Sequence, residues 1–310
     1  MGKIAFLMTG QGAQKVGMGK DLYENEAAAK AVFDMGERMR LGTIGQCFYA
    51  DQETLTQTEN TQPCLFLMDL ACARVLEAHG IKADMTAGFS LGEIPAIAYA
   101  GILSDEDAFR LVTLRGEKMA ECAALHPGSM AAILRLTAEQ VEELATGFEN
   151  VYPVNYNCPG QTVVAGAKSQ ITAFSEAVKE AGGRAMPLAV SGAFHTPYMK
   201  EASDELRKCL RELDVKKSVI PLISNTTAEP YPEAAEDVRD LIAKQASNSV
   251  RFEKTLRYMQ ECGVDTFIEV GAGTTLSGLV KKTLTDVKIM NVTDMASLQN
   301  VIQELTGKAE

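Results

Sequence analysis

The sequence predicts an α/β fold: an α/β-hydrolase-like large domain with a mostly parallel sheet, and a small ferredoxin-like subdomain inserted into it. Three observations carry this expectation. A continuous apolar run at 4–8 ends in the glycine-rich loop Thr9-Gly10-Gln11-Gly12-Ala13-Gln14, as a fully buried strand does. A second short run at 85–88 feeds the G-x-S-x-G turn Gly88-Phe89-Ser90-Leu91-Gly92, which a helical stretch follows. Between 130 and 188 the rhythm becomes strand, helix, strand, strand, helix, strand, the βαββαβ order of the ferredoxin-like unit.

Taken in order, helices are expected over 21–40 and 61–79, the second with Pro63 in its first turn and Gly80 just past its end. Beyond Ser90, helices are expected over 91–100 and 104–122, where Ser104 is a natural N-cap and Asp105, Glu106 and Asp107 place acids in the first turn. The inserted unit reads as strands at 130–136, 151–155, 162–166 and 184–188, with helices at 138–146 and 169–182. Helices at 197–213, 235–246, 252–262 and 276–284 then alternate with strands at 219–224, 266–270 and 287–292, and a last helix begins at Asp294. Pro127-Gly128 and the stretch 187–192 mark hinges, so the expected domains are 1–126 with 193–310, and the insertion 127–192.

Composition narrows the function. With 46% hydrophobic and 23% charged residues in 310, the chain is ordinary globular material, and no apolar stretch approaches the ~20 residues of a membrane span. A net charge of -11 argues against nucleic-acid binding, which needs a clustered lysine and arginine surplus. The cysteines Cys47, Cys64, Cys72, Cys122, Cys158, Cys209 and Cys262 show no C-x-x-C pair and no histidine at zinc spacing, so reduced core thiols and no metal are expected. The N-terminal apolar run is too short for a signal peptide, and Phe6 spoils a myristoylation motif; cytoplasm is the expected location.

The chemistry centres on Ser90. A turn of this kind thrusts the serine oxygen out at the sheet edge, and acts only if a base reaches the hydroxyl and amides face the oxyanion. The base must come from three histidines: His79 ends a helix, His126 precedes Pro127 in a hinge, and His195 stands where the chain re-enters the large domain. His195 is therefore the candidate. The Gln11 loop lacks both the Walker ending and G-x-G-x-x-G; lying at the same carboxyl edge, it offers an N–H that, with the N–H of Leu91, makes an oxyanion hole. Arg115, read alone, is a helical arginine that is more often solvated or ion-paired than a ligand.

Together these residues resemble a known family. Gly10-Gln11-Gly12-Ala13-Gln14, the elbow continuing to Glu93, Thr113-Leu114-Arg115-Gly116, Asn157-Cys158-Pro159-Gly160-Gln161, Ser191-Gly192-Ala193-Phe194-His195, the run from Gln245 through Asn248 to Phe252, and Glu269-Val270-Gly271-Ala272-Gly273 are similar, in order, to motifs of the malonyl-CoA:acyl carrier protein transacylases. The resemblance implies that Ser90 is acylated, that His195 is its base, and that the loop of Gln245 and Asn248 orients the histidine through a backbone carbonyl, so that no triad acid is needed. It implies Gln11 and Leu91 as the oxyanion hole, Arg115 as the partner of the malonyl carboxylate, and Phe89, Phe194 and Asn157 as pocket lining. The Ala193-Phe194-His195 ending is similar to malonyl-selecting rather than methylmalonyl-selecting members. One position departs: where the family usually has histidine, this chain has Phe89, which keeps a bulky wall but removes a hydrogen-bonding group.

The implied substrates are malonyl-CoA and the phosphopantetheine of acyl carrier protein, with no cofactor of the enzyme's own, and a monomer is expected. Docking an acidic carrier on a chain of this charge needs local cations; Lys281 and Lys282 are candidates, with Arg184 and Lys20 weaker ones and a solvated helix end the alternative. Two other functions stay open at this stage, a serine thioesterase or hydrolase on a related scaffold and a noncatalytic carrier-docking protein.

Overall fold

β1 (Lys3–Met8) is the middle strand of a five-stranded sheet whose pairings are all parallel. The computed structural model describes residues 2–190 and 192–307; Met1, Ser191 of the motif ending in His195, and 308–310 of the expected 193–310 segment lie outside the described residues. After β1 come α1 (Lys20–Asn25), α2 (Ala27–Met39), α3 (Thr43–Tyr49), α4 (Gln52–Thr56) and α5 (Thr58–Ala78), then β2 (Met85–Gly88), α6 (Glu93–Tyr99) and α7 (Asp105–Leu125). A second set follows: β3 (Gly128–Leu134), α8 (Ala138–Ala145), β4 (Val151–Cys158), β5 (Gln161–Ala167), α9 (Lys168–Glu180) and β6 (Arg184–Pro187). The chain then forms α10 (Lys200–Arg211), β7 (Leu222–Ile223), α11 (Ala235–Gln245), α12 (Phe252–Glu261), β8 (Val264–Val270), α13 (Thr275–Thr283), β9 (Lys288–Val292) and α14 (Met295–Thr306).

The large sheet has the order β7-β2-β1-β8-β9. The chain leaves β1 to one side through β2 and β7 and to the other through β8 and β9, so a crevice opens at the carboxyl ends of the central strands. Alternate residues of β1 enter different layers: Phe6 and Met8 join the core that holds α5, while Ala5 and Leu7 join the layer of α12 and α13. α5 is buried along almost its whole length, because Cys64 to Leu76 is apolar on nearly every face.

The small sheet is antiparallel with the order β4-β5-β3-β6, the ferredoxin-like arrangement. One face, through Ala131, Ile133 and Val164, packs against α8 and α9. Its other face, through Met130, Ala132, Val163 and Ala165, joins the core of the large sheet's layer. Pro127 pairs with Gly192 where the chain leaves and returns, and Asn155 pairs with Val250 across the two units.

Several elements depart from expectation. The helix expected over 21–40 is split, because Glu26 is extended (φ -120°, ψ 117°) and instead directs its carboxylate to His79 Nε2 at 3.2 Å. α5 begins at Thr58 rather than 61, which puts Pro63 inside the helix and not in its first turn. α3 and α4 were not expected, and the strand expected over 219–224 is only Leu222–Ile223, since its neighbours turn into the loop that closes on Tyr231. Ser104 does cap α7, accepting from the N–H of Asp107 at 3.0 Å.

Candidate active site

Four loops meet at the carboxyl edge of the large sheet, those following β1, β2, β7 and β8, and they carry Gln11, Ser90, Asn225 and Gly271. Ser90 sits at φ 53°, a left-handed backbone that non-glycine residues rarely adopt. The two flanking glycines permit it: a Cβ on Gly88 would lie 1.9 Å from the Gly92 carbonyl carbon, and one on Gly92 would lie 2.3 Å from the Met8 oxygen. The strand therefore turns into the short 3₁₀ turn Ser90–Gly92 in a space that no side chain could share.

His195 reaches this serine across the crevice. Its Nε2 lies 2.6 Å from Ser90 Oγ, and its Nδ1 lies 3.0 Å from the main-chain oxygens of both Gln245 and Asn248. Carbonyl oxygens only accept, so Nδ1 carries the hydrogen and Nε2 turns its lone pair toward the hydroxyl. Burial, and then the positive charge of Arg115, lower the imidazole to about 4, partly countered by the two carbonyls. A neutral imidazole is thus present at ordinary pH, ready to take a proton. His79 is engaged with Glu26, and His126 stacks on Tyr198 with ring centroids 5.5 Å apart; neither lines the serine's cavity.

Arg115 is 1% exposed and enters from the middle of α7. Its Nη1 donates to Gln62 Oε1 at 2.8 Å and its Nη2 to Gln245 Oε1 at 2.9 Å, with Ser90 Oγ 3.4 Å away. These partners are neutral, and Nε has none, so a buried cation stands beside the serine with unspent donors. Burial lowers the guanidinium to about 10, and the nearby charge of Glu93 opposes that shift. A small ligand with a carboxylate would satisfy what the amides do not.

The cavity measures 230 Å³, below the ~300–1,000 Å³ of drug-sized sites, and suits a short acyl group. It lies between the two sheets. Gln11, Phe89, Ser90, Arg115, Asn157, Phe194 and His195 all line it, so most of the expected site residues converge. Phe89 forms a wall whose ring meets Phe252 edge-on at 5.2 Å. Gln11 faces the serine from the β1 loop, its side chain donating to Thr58 at 3.2 Å. Leu91 follows Ser90 in the 3₁₀ turn and is fully buried.

Lys281 and Lys282 close α13, whose Thr275, Leu276 and Leu279 line the cavity. Both are exposed, and Lys282 Nζ reaches Gln161, another lining residue, at 3.5 Å. Arg184 and Lys20 are placed elsewhere: Arg184 is exposed on β6, Lys20 lies over the Tyr49 ring, and neither lines the cavity.

Sequence reasoning passed over Asn225, Gln62, Glu93 and Tyr231. Asn225 Oδ1 accepts the N–H of Ser90 at 2.7 Å, and Gln62 holds Arg115. Glu93 is fully buried and accepts from the Tyr231 hydroxyl at 2.7 Å and the Asn225 N–H at 3.2 Å. Burial raises its carboxyl to about 7 against the pull of those bonds. For Asn225 a signal existed, its place just after a parallel strand; for Gln62 there was none.

Comparison with known proteins places these features in context. The family model described as acyl transferase domain matches residues 5–309. The chain is similar to the malonyl CoA-acyl carrier protein transacylase of Bacillus subtilis, 42% identical over 311 residues and covering 98% of each chain. Among solved structures it is similar to the malonyl CoA-acyl carrier protein transacylase of Clostridium perfringens, with a TM-score of 0.94, 36% identity and 98% of each chain covered. It is also similar to a malonyl-transacylase solved in complex with its type II PKS acyl-carrier protein, with a TM-score of 0.91, 34% identity and 97% of this chain and 99% of that one covered.

Proposed function

The chain belongs to the acyl transferase family, and we propose that it transfers a malonyl group from malonyl-CoA to the phosphopantetheine thiol of acyl carrier protein, through an ester on Ser90. The observation that carries the assignment of residues is the contact of Ser90 Oγ with His195 Nε2 at 2.6 Å beside the Arg115 guanidinium, whose side-chain hydrogen-bond partners are all neutral.

In the first half-reaction His195 Nε2 takes the hydroxyl proton as Ser90 Oγ forms a bond to the thioester carbonyl carbon. The carbonyl electrons move to oxygen, and the N–H groups of Gln11 and Leu91 donate hydrogen bonds to the resulting oxyanion. The Ser90 N–H is already given to Asn225, which leaves the Leu91 amide as the next donor along the turn. Losing one such donor costs about 10²–10³-fold in turnover. As the tetrahedral species collapses, the C–S bond breaks and the CoA sulfur takes the proton from His195. The carrier thiol then enters, gives its proton to His195, attacks the ester carbonyl, and displaces Ser90 Oγ, which recovers the proton. The scheme balances without a metal or redox group.

Arg115 pairs with the free malonyl carboxylate and thereby selects an acidic acyl group. Gln245 and Asn248 hold the imidazole through their carbonyls; Phe89, Phe194 and Asn157 shape the acyl pocket. A thioesterase is less well supported, because a hydrolase needs no cation at the acyl group, and a docking protein needs none of this constellation. Lys281 and Lys282 serve as the carrier's landing point at the cavity rim. Residues 127–192 act as an inserted subdomain over the large domain of 1–126 and 193–310, and the enzyme works as a cytoplasmic monomer. Among the described residues no helix is long and apolar enough to cross a membrane, and the free cysteines, six of them buried, fit a reducing compartment.

The test is intact-protein mass after mixing with a panel of acyl-CoA thioesters. Malonyl-CoA should add one malonyl group, absent in Ser90→Ala, and acetyl-CoA should add far less. An adduct that persists in Ser90→Ala moves the nucleophile elsewhere and overturns the assignment.

A further inference from the structure

We propose that Asn225 is a positioning residue that clamps both sides of the Ser90 turn, and that Glu93, itself held by Tyr231, anchors Asn225 for this task. The inference rests on Ser90 being the acylated nucleophile and adds what holds that serine in its unusual backbone.

A left-handed serine between a strand and a 3₁₀ turn has left the strand ladder; its oxygen accepts the turn's own bond from the Glu93 N–H, but its N–H and the last strand oxygen, that of Gly88, take side-chain partners. Asn225 provides them. Its Nδ2 donates to the Gly88 oxygen at 2.6 Å, on the strand side, and its Oδ1 accepts from the Ser90 N–H at 2.7 Å, on the helix side. The amide orientation is unambiguous, because the first partner can only accept and the second only donate. Gln245 completes the hold, its Nε2 donating to the Ser90 oxygen at 2.7 Å. Both main-chain groups of the serine are thus fixed by side chains from elements more than a hundred residues away in sequence.

Asn225 is fixed in turn. It is fully buried, its main-chain oxygen accepts from the N–H of Arg251 at 2.8 Å, and its N–H donates to Glu93 Oε1 at 3.2 Å. The same Glu93 oxygen accepts from the Tyr231 hydroxyl at 2.7 Å. Glu93 starts α6, the helix that follows the elbow, so the carboxyl ties Asn225 to the segment whose geometry it sets. Burying a carboxyl here is costly, and a purely structural contact could be made by apolar groups instead.

The experiment follows single-turnover acylation of the full chain by malonyl-CoA, by mass, with thermal unfolding alongside. Asn225→Ala removes both clamps; Asn225→Asp keeps the volume and the acceptor but lacks the donor to Gly88. Both should acylate about 10²-fold more slowly, the loss that a ~1 Å misplacement of reacting groups produces. The fall should be equal for malonyl-CoA and acetyl-CoA, with KM little changed and the acid-limb midpoint set by His195 unmoved; a loss of folded protein alone moves none of these selectively. Glu93→Gln preserves the acceptor and should stay within a factor of about 3, whereas Glu93→Ala should fall with Asn225→Ala. Wild-type acylation rates in both Asn225 variants, or Glu93→Gln as slow as Glu93→Ala, overturn the clamp. A wild-type chain that forms no malonyl adduct on Ser90 would instead refute the underlying reading.

Discussion

The main-chain oxygen of Gln245 stands 3.0 Å from His195 Nδ1, the place that a carboxylate takes in a Ser-His-Asp triad. A carbonyl fixes the tautomer as well as a carboxylate does, but it brings a dipole where the other brings a full charge. An imidazolium at this position is correspondingly less stabilised, and Arg115 nearby opposes it further.

This arrangement has a pH signature. His195 must be neutral to accept the serine proton, so acylation should persist into mild acid and fall only as pH drops toward about 4. Burial is the larger cause of the depression and the Arg115 charge the second. A malonyl group paired with Arg115 cancels the second cause, so the midpoint for transfer out of the malonyl-enzyme should lie above that for acylation of the free enzyme. Rate profiles of the two half-reactions measure the difference. Glu93 titrates near 7, and Glu93→Gln removes any inflection that belongs to it. An acid limb at or above the ordinary histidine range, about 6.5, would contradict the buried, carbonyl-held imidazole.

Arg115→Ala should separate charged from neutral acyl groups. The guanidinium is held by Gln62 and Gln245, neutral groups that leave its charge available to a substrate carboxylate. Charged hydrogen bonds of this type contribute about 1.5–3 kcal/mol each, so malonyl transfer should drop by roughly 10–100-fold or more. Acetyl transfer should hold or rise, because the variant no longer keeps a buried cation beside the ester. An unchanged malonyl-to-acetyl preference would remove Arg115 from substrate recognition.

The sequence made the architecture legible where local pattern and tertiary demand agree. The apolar run at 4–8 is a strand buried on both faces, and Ser104 caps α7 because its side chain and the following acids suit a helix start on their own. The break at Glu26 was hidden, since the alanines after it favour helix and the side-chain partner of Glu26, His79, is distant in sequence. The site divides likewise. Ser90 announces itself by its glycines, and His195 stands out in a chain with so few histidines. Gln62 acts through a contact across the fold that no spacing encodes, and Asn225, though placed just after a parallel strand, meets Gly88 and Ser90 only once the chain is folded.

The elbow's glycines can be tested without touching a polar group. Gly88→Ala puts a methyl where the Gly92 backbone lies 1.9 Å away, so the strand and the 3₁₀ turn must part. Overpacking of this kind costs about 1–3 kcal/mol or more in stability, and here it also shifts Ser90 off His195. A lowered unfolding temperature together with a collapsed acylation rate is expected. Full acylation in a folded Gly88→Ala protein would show that the turn tolerates opening and that its tight closure is not what presents the serine.

Lys281 and Lys282 provide the test of carrier docking. The chain carries a net charge of -11, so an acidic partner approaches against the overall field and depends on a local reversal of it. These two lysines stand exposed at the end of α13, whose earlier turns line the cavity, and Lys282 reaches Gln161 on its far side. A carrier held there would point its prosthetic arm along the helix toward Ser90. Replacing both by glutamate should raise KM for the carrier several-fold, and the effect should shrink as salt screens it over about 10 Å at 0.1 M. KM for malonyl-CoA should change little, because the small donor reaches the cavity through Arg115 and the pocket walls. Equal effects on both substrates would mean that the lysines act on charge in general and that the carrier lands on another face.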